Sequence, residues 1–271
     1  MTKPYLPSVH QTWAHSVCDR HTLANILSEQ KVTAIETDIL MGSFVENDDI
    51  PAADVNLGEK IPIMAHPPSR TSNLTPDIFF DMVFGCQDKA PHIKLDFKEI
   101  DTVQSVLGSL MDSYSKHCMD DLKLDEKLCV YLNADVLAGP GMQNESAKVD
   151  AEDFMNICSD IILKHQTSNL VWAFSLGWRT DPSAYGNGYE DYHVDEMLDL
   201  IKRYSKFKEN VGMLFKMIHH RHLTKLIMKS YSFYRYRSSS KCSSIDERFR
   251  TYKKIYGKCK WIAVVSMDRY G

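Results

Sequence analysis

Ile93-Lys-Leu-Asp-Phe-Lys98 is the stretch that most directly indicates the fold, because apolar and charged residues alternate along it as they do along a β-strand. Four other short runs have this strand character, and each carries a histidine, carboxylate or amide where its strand pattern ends. They are Thr12-Trp-Ala-His-Ser16, Ile35-Glu-Thr-Asp-Ile39, Pro62-Ile-Met-Ala-His-Pro67 and Tyr131-Leu-Asn-Ala-Asp135. Strand interiors prefer Val, Ile and aromatic residues, so five polar strand ends in chain order indicate a functional site.

Strand and helix patterns alternate along the whole chain. Strands are predicted over 32–40, 61–65, 93–97, 128–136, 170–176 and 211–217, with helices over 75–83, 103–114, 151–165 and 194–204. Weaker patterns predict helices over 223–229 and 245–256 and strands over 231–236 and 261–267. There is no internal repeat and no low-complexity linker, so the alternation predicts a parallel sheet with crossover helices. With 61–65 counted as a strand or as a loop edge, the total is near eight, and a closed (β/α)8 TIM barrel spanning residues 1–271 as a single domain is the simplest arrangement.

Composition predicts an ordinary soluble globular protein. Hydrophobic residues make up 44% and charged residues 25% of the chain, and no apolar run reaches the roughly 20 residues of a membrane span. The N-terminus has no apolar core after its first lysine, so no secretory signal is predicted and a cytoplasmic location is expected; an extracellular one would follow if the true N-terminus lies upstream. Seven cysteines without metal-ligand spacing favour reduced thiols.

Charge is distributed unevenly along the chain. Residues 1–215 contain 18 Lys and Arg against 33 Asp and Glu, whereas residues 216–271 contain 14 against 3. A basic segment can bind phosphates, acidic lipids or nucleic acid, but the simpler explanations, a diverged outer helix layer or a faulty gene model, are favoured over it. The aromatic and basic run Tyr231-Ser-Phe-Tyr-Arg-Tyr-Arg237 also fits an ordinary strand, so a nucleic-acid partner is not favoured.

Three carboxylates are expected to converge at one edge of the predicted sheet. Side chains two residues apart on a strand share a face, which groups Glu36 with Asp38, Lys94 with Asp96 and Lys98, and Asn133 with Asp135. The carboxyl ends of barrel strands meet at one mouth, where unneutralised carboxylates would raise one another's pKa values. A hard divalent cation resolves this conflict, so Glu36, Asp38 and Asp96 are the candidate ligands of Mg²⁺ or, as the alternative, Ca²⁺.

Two histidines lie on neighbouring segments of the same predicted mouth. Histidine side chains can take up and release protons near neutral pH, so His15 and His66 suit a general acid and a general base on opposite sides of one displacement. With a cation on phosphoryl oxygens and Lys98 offsetting negative charge, they would form a phosphodiester-cleaving site. Each feature alone has a simpler explanation: a solvated strand edge, a structural histidine beside proline, or a lysine paired with acidic neighbours. The hypothesis depends on their co-occurrence.

The same strings resemble the menorin family over roughly residues 10–215. They are Trp13-Ala-His15, Glu36-Thr-Asp38, Pro62-Ile-Met-Ala-His-Pro-Pro68, Ile93-Lys-Leu-Asp-Phe-Lys98, Asn133-Ala-Asp-Val-Leu-Ala-Gly-Pro140 and Ser175-Leu-Gly-Trp178. That family in turn resembles the phospholipase-C-like phosphodiesterases, which include glycerophosphodiester phosphodiesterases and sphingomyelinase D. The resemblance implies a TIM barrel in which His15 and His66 are catalytic with Lys98, while Glu36, Asp38 and Asp96 hold a metal. Candidate substrate-binding residues are Lys94, Asn133, Asp135, Trp178 and Lys216.

Two departures from the family pattern stand out. Cys18 occupies the place where menorin-like sequences usually have Asn, and Gly212-Met-Leu-Phe-Lys216 stands where Thr-Phe-Pro-Val-Arg is expected. Beyond residue 217 the basic C-terminal part has no convincing match to the family. Substrate contacts in the last two strands are therefore not predicted from the resemblance.

Three functions remain open at this point. The leading hypothesis is a metal-dependent phosphoric diester hydrolase or lyase acting on a glycerophosphodiester or lysophospholipid-type headgroup. The second is a catalytically silent interaction module that keeps the barrel and the cation site as a scaffold and binds a protein partner. The third is a glycosidase with a carboxylate pair as acid and nucleophile, which the two histidines make less favoured.

Overall fold

A computed structural model describes residues 12–46, 59–86, 90–118, 128–142, 147–165, 170–181, 189–204 and, as backbone, 211–215. The strands are β1 (Trp13–Ala14), β2 (Ala34–Phe44), β3 (Ile61–Met64), β4 (Thr71–Ser72), β5 (His92–Phe97), β6 (Leu128–Ala138), β7 (Leu170–Arg179) and β8 (Val211–Phe215). The helices are α1 (Arg20–Glu29), α2 (Pro76–Phe84), α3 (Val103–Cys118), α4 (Ala151–Lys164) and α5 (Asp191–Arg203), with a 3-10 turn over Ile100–Thr102. The elements predicted over 223–229, 231–236, 245–256 and 261–267 lie outside the described residues.

The sheet is mostly parallel, and its strands lie side by side in chain order. Neighbours run β1-β2-β5-β6-β7-β8, each pair parallel. Within the described ranges no pairing joins β1 to β8, so the sheet is not closed there. The predicted α/β fold with parallel strands and crossover helices is confirmed, while closure into an eight-stranded barrel remains a prediction.

Helix N-termini form where the sequence supplies a capping side chain. Thr75 Oγ1 accepts from the N–H of Ile78 at 3.5 Å, and Pro76 opens α2, within the helix predicted over 75–83. Asp19 caps α1 by accepting from Thr22, and Asp150 caps α4. Among the described residues, no helix is long and apolar enough to cross a bilayer.

The run at 61–65 does not join the parallel series. β3 is antiparallel to the outer half of β2, and β4 pairs with the last residues of β2. These two partners explain why β2 continues to Phe44 and not merely to Leu40, because they satisfy the backbone groups beyond the parallel sheet. Gly42 makes their approach possible, since a Cβ there would lie 2.5 Å from the Arg70 carbonyl oxygen.

One face of the sheet is apolar and packs against the helices. Alternate residues of the strands form this face and bury their side chains with those of α2 to α5. An aromatic contact series, Phe97 to Phe154 to Phe174, links β5, α4 and β7. This face is the hydrophobic core, which spans the described part of the chain.

The opposite face is divided into an apolar end and a polar end. Toward the amino ends of the strands it carries a small apolar cluster of Trp13, Cys129, Tyr131, Val171 and Ala173. Toward the carboxyl ends its residues become charged or polar. The apolar cluster forms a floor, and the polar groups lie above it at the strand ends, where parallel α/β proteins place their sites.

Candidate functional site

The register of the parallel strands places the predicted site residues in rows. In one row Asp38 pairs with Asp96, Asp96 with Asn133, and Asn133 with Ser175, so four adjacent strands each contribute one polar side chain. The row beneath places Glu36 beside Lys94. Sequence spacing predicted which residues share a face, and the register confirms that these faces coincide.

Lys98 joins the two aspartates of the upper row. Its Nζ lies 2.8 Å from Asp38 Oδ1 and 2.7 Å from Asp96 Oδ2. Burial by itself would lower the pKa of Lys98, but the charges of Asp96 and Asp38 outweigh it and raise that pKa well above its usual range. Lys98 is therefore an ammonium group throughout the physiological pH range.

Glu36 forms a second group with one histidine and one lysine. The Nδ1–H of His15 donates to Glu36 Oε2 at 2.6 Å, and Lys94 Nζ donates to Oε1 at 2.6 Å. Burial would raise the pKa of Glu36, but the hydrogen bond from His15 and the charge of Lys94 reverse the effect and lower it strongly. The ionised carboxylate fixes Nδ1 of His15 as a donor, so Nε2 is the ring nitrogen that can exchange a proton.

His66 lies on the exposed segment that follows β3. Its Nδ1–H donates to the Pro67 carbonyl oxygen at 2.6 Å, which again leaves Nε2 for proton exchange. The preceding residue is held on the site, because the N–H of Ala65 donates to the Asp38 carbonyl oxygen at 3.0 Å. This backbone hydrogen bond attaches the segment that carries His66 to β2 at Asp38.

Residues that were not predicted as part of the site hold the His66 segment in place. Glu99 accepts from the Met41 N–H at 2.8 Å and pairs with Arg70 at 2.7 Å, and Arg70 also donates to the Met41 carbonyl oxygen. Glu99 directly follows Lys98, so one residue connects the end of β5 to the segment with His66. A single sequence contains no signal that would reveal this long-range pairing.

The predicted substrate-binding residues are in different surroundings. Asn133 is buried and accepts from the Ser175 hydroxyl at 2.6 Å, and Asp135 lies two residues further along the same face. Trp178 lies apart from them: its indole is buried against Tyr189, and its N–H donates to the His193 carbonyl oxygen at 3.3 Å. Lys216 lies outside the described residues.

Ser16 and Ser175 are polar residues of the site that sequence reasoning missed. Ser16 Oγ donates to Asp38 Oδ2 at 3.3 Å, and Ser175 supports Asn133. Ser175 could have been found from register, since it opens the quoted string Ser175-Leu-Gly-Trp178. Ser16 could not, because a regular strand would point it away from the face of His15.

The donor chemistry of this group fits a divalent cation. Three carboxylates, of Glu36, Asp38 and Asp96, face the ammonium groups of Lys94 and Lys98, which leaves an excess of carboxylate charge among hard oxygen donors. Within the described ranges, no group of three or more His, Cys, Asp or Glu side chains is arranged to hold a metal ion. Lys98 lies between the two aspartates in the geometry described here, so a bound cation would have to share these oxygens with the lysines.

Comparison with known proteins assigns the chain to a family. The profile of the menorin N-terminal domain matches residues 8–230. Protein FAM151B of Homo sapiens is 32% identical over 138 residues, an alignment that covers 50% of this chain and 42% of that relative. The chain thus matches less than half the length of this curated relative. Because the family profile spans most of the sequence, including every strand of the site, the chain belongs to the menorin family.

Proposed function

We propose that this protein is a cation-dependent phosphodiesterase that acts on glycerophosphodiester or lysophospholipid-type substrates by acid–base catalysis with His15 and His66. The proposal includes closure of the sheet into a (β/α)8 barrel. The likeness to phospholipase-C-like enzymes, inferred from the strand-end motifs, supplies the reaction class.

The observation that supports this proposal best is the row of polar residues on neighbouring parallel strands. Asp38, Asp96 and Asn133 are adjacent in register on one face, and the two aspartates are almost fully buried, with exposed fractions of 4% and 5%. Buried carboxylates on neighbouring strands are costly unless they are compensated. Carboxylates that are buried at a cost in stability, with no gain in apolar packing, are typical of a functional site.

Two histidines with defined tautomers suit the two proton transfers of the reaction. One ring takes the proton from the attacking hydroxyl through Nε2 as the new P–O bond forms, and the other gives a proton to the leaving oxygen as its P–O bond breaks. Glu36 accepts from His15 and stabilises the imidazolium that forms there. A hydroxyl of the substrate itself as nucleophile yields a cyclic phosphate, whereas water yields a phosphomonoester.

The lysines and the cation would act on the phosphate charge. Asp38 and Asp96, with Glu36, would hold the divalent cation, which as a Lewis acid supplies charge stabilisation at the phosphoryl oxygens. Lys98 and Lys94 lie on the same face and offset the negative charge of the transition state. A phosphodiester small molecule or lipid headgroup therefore matches the charge of this mouth.

The first experiment is calorimetric titration of Mg²⁺ and of Ca²⁺ into chelator-stripped protein. Asp38→Asn/Asp96→Asn should lose the saturable binding that the wild type has. Asp81→Asn is the matched control, since it removes an exposed carboxylate that is also paired with a lysine, Lys116. A folded wild type without saturable binding of either cation would remove the cation from the proposal.

Turnover is tested next on cation-loaded protein. Glycerophosphocholine and lysophosphatidylcholine are offered as substrates, and phosphorus NMR distinguishes a cyclic phosphate from a monoester product. His15→Ala and His66→Ala should each abolish turnover and retain cation binding. Absence of turnover on both substrates by the loaded wild type would contradict the enzymatic hypothesis.

The charge balance of the site also supports a second candidate function, a silent interaction module. Lys98, Lys94 and His15 already compensate most of the carboxylate charge without any added ion, so the cluster can persist as a scaffold. In that case a protein partner would bind, its affinity would depend on the cation, and no phosphodiester would be turned over. The turnover assay on cation-loaded protein separates the two functions.

A further inference from the structure

An extra residue interrupts the pairing of β1 with β2 just below the site. The N–H of Ala34 donates to the Thr12 carbonyl oxygen, and Ala14 pairs with Ile35. In a regular parallel ladder the N–H of residue 16 would be the next to donate to the Glu36 carbonyl oxygen. The N–H of Val17 makes that bond instead, at 3.0 Å, so the segment that continues β1 beyond Ala14 contains one more residue than β2 does, as in a β-bulge.

Ser16 is the residue that absorbs this irregularity. Its φ is 53°, in the left-handed region that non-glycine residues rarely adopt. The sequence places an ordinary serine there, and neither glycine nor asparagine, which would adopt this backbone more readily. The backbone cost indicates that the position of this side chain matters.

The bulge lets two consecutive side chains reach the same face of β2. In a regular strand, neighbouring residues point to opposite faces. Here His15 contacts Glu36 at 2.6 Å, and Ser16 contacts Asp38 at 3.3 Å, although Glu36 and Asp38 lie two residues apart on one face. His15 and Ser16, which follow β1, are exposed at the mouth, while Asp38 is buried.

We propose that Ser16 is a positioning residue of the cation site, whose hydroxyl fixes the orientation of the Asp38 carboxylate. Asp38 is held at both oxygens, by Lys98 at Oδ1 and by Ser16 at Oδ2. When a cation shares the oxygens of Asp38 with Lys98, Ser16 still restrains that carboxylate, which lowers the cost of ordering it for the ion. This inference rests on the proposed function, since it requires that a cation binds there.

Three substitutions separate the hydroxyl from the backbone conformation. Ser16→Ala removes the hydroxyl and keeps the backbone cost, whereas Ser16→Gly removes both, so its melting temperature should equal or exceed that of the alanine variant. Ser16→Asn tolerates the left-handed backbone and restores a hydrogen-bond donor. Each is titrated with Mg²⁺ by calorimetry and melted in the presence of chelator.

We expect both Ser16→Ala and Ser16→Gly to weaken Mg²⁺ binding by roughly five- to tenfold, the typical effect of one hydrogen bond. Ser16→Asn should return the affinity to within about threefold of wild type. Two results would overturn this inference and leave the cation site standing. One is a Mg²⁺ affinity that varies with the melting temperature of the variants and not with the presence of a hydrogen-bond donor at residue 16. The other is an unchanged Mg²⁺ affinity in Ser16→Gly. Absence of Mg²⁺ binding in the wild type would instead overturn the proposed cation site, and this inference with it.

Discussion

At the scale of single residues, each buried charge of the site is compensated by a named partner. Lys98 lies between Asp38 and Asp96, and Glu36 lies between His15 and Lys94. Removing one member of such a group leaves an uncompensated buried charge, which costs more than the intact pair contributes. The residues with the largest effects on stability are therefore also the residues proposed for catalysis.

Lys98→Met should lower the free energy of unfolding by about 3 kcal/mol at pH 7, because Asp38 and Asp96 would then face each other without a cation. Added Mg²⁺ should restore part of that loss by binding the folded state. Urea denaturation with and without Mg²⁺ measures both effects. Lys116→Met is the control, since it breaks an exposed pair with Asp81 and should cost less than about 1 kcal/mol. Equal losses in the two variants would contradict the account of Lys98.

The lowered pKa of Glu36 predicts how stability depends on pH. An unfolded chain protonates this carboxyl near its ordinary pKa of 4.5, whereas the folded protein does so only at lower pH. The stabilisation is therefore present above about pH 4.5 and is lost as the pH falls below it. Glu36→Gln should cost about 2 kcal/mol at pH 7, and this difference from wild type should shrink between pH 5 and pH 3.

Denaturant titrations of both proteins at pH 7, 5, 4 and 3 measure that difference. Asp81, whose pKa the hydrogen bonds from Lys116 and Ser113 lower to about 2, titrates in both proteins and cancels. A difference in unfolding free energy that stays constant down to pH 3 would show that His15 and Lys94 do not lower the pKa of Glu36.

At the scale of elements, β2 is the strand on which the site is built. Its first half pairs with β1 and β5 in the parallel sheet, and its second half pairs with β3 and β4. Glu99, after β5, and Arg70, between β3 and β4, both bind the backbone of β2 at Met41. Glu99 accepts a hydrogen bond from the Met41 N–H, and Arg70 donates one to the Met41 carbonyl oxygen. The segment with His66 is thus attached to β2, the strand that carries Glu36 and Asp38.

Glu99→Gln should loosen the His66 segment, because Met41 and Arg70 donate to different oxygens of Glu99 and an amide has only one acceptor oxygen. Amide hydrogen exchange over residues 61–72 should become about tenfold faster, which corresponds to a local loss of about 1.4 kcal/mol. Exchange mass spectrometry measures it, with the exposed Asp101→Asn on the adjacent 3-10 turn as control. The idea fails if Glu99→Gln exchanges no faster than Asp101→Asn in this segment.

At the scale of the whole molecule, one apolar core supports the polar face. Helices α2 to α5 cover one side of the sheet, so every strand that contributes to the site is fixed by packing on its other side. Cys158 of α4 lies in that core, and Cys129 lies in the apolar floor of the polar face. Burial raises the pKa of both thiols, that of Cys129 to about 12.

These two thiols should report global unfolding. Cys129 and Cys158 are neutral and inaccessible in the folded protein, so N-ethylmaleimide at pH 7.5 should modify them only as the molecule unfolds. Cys86 is partly exposed and should react at least roughly tenfold faster. Peptide mass spectrometry over a labelling time course separates the sites. Labelling of Cys158 at the rate of Cys86 would mean that α4 opens locally.

Much of this architecture is predictable from sequence because local patterns encode it. The alternation in Ile93-Lys-Leu-Asp-Phe-Lys98 reports a strand with one apolar and one polar face, and the cap at Thr75 reports the start of a helix. The predicted ends of elements were wrong where pairing with a distant strand extends the element, as at the end of β2. β2 reaches Phe44 only because β3 and β4 pair with it, and Gly42, which their approach requires, does not by itself predict a longer strand.

The sequence by itself determined the family, the alternation of strands and helices that indicates a parallel sheet, and the identity of the charged residues at the strand ends, since each is encoded in short spacings along the chain. Only the tertiary structure decided how those charges are grouped: Glu36 with His15 and Lys94, Asp38 and Asp96 with Lys98, and Trp178 away from them in the core. The orientation of Ser16 also depends on tertiary structure, because one extra residue in the segment after β1 changes which face its side chain reaches. Spacing fixes the face of a regular strand, but register and bulges depend on hydrogen bonds between strands distant in sequence.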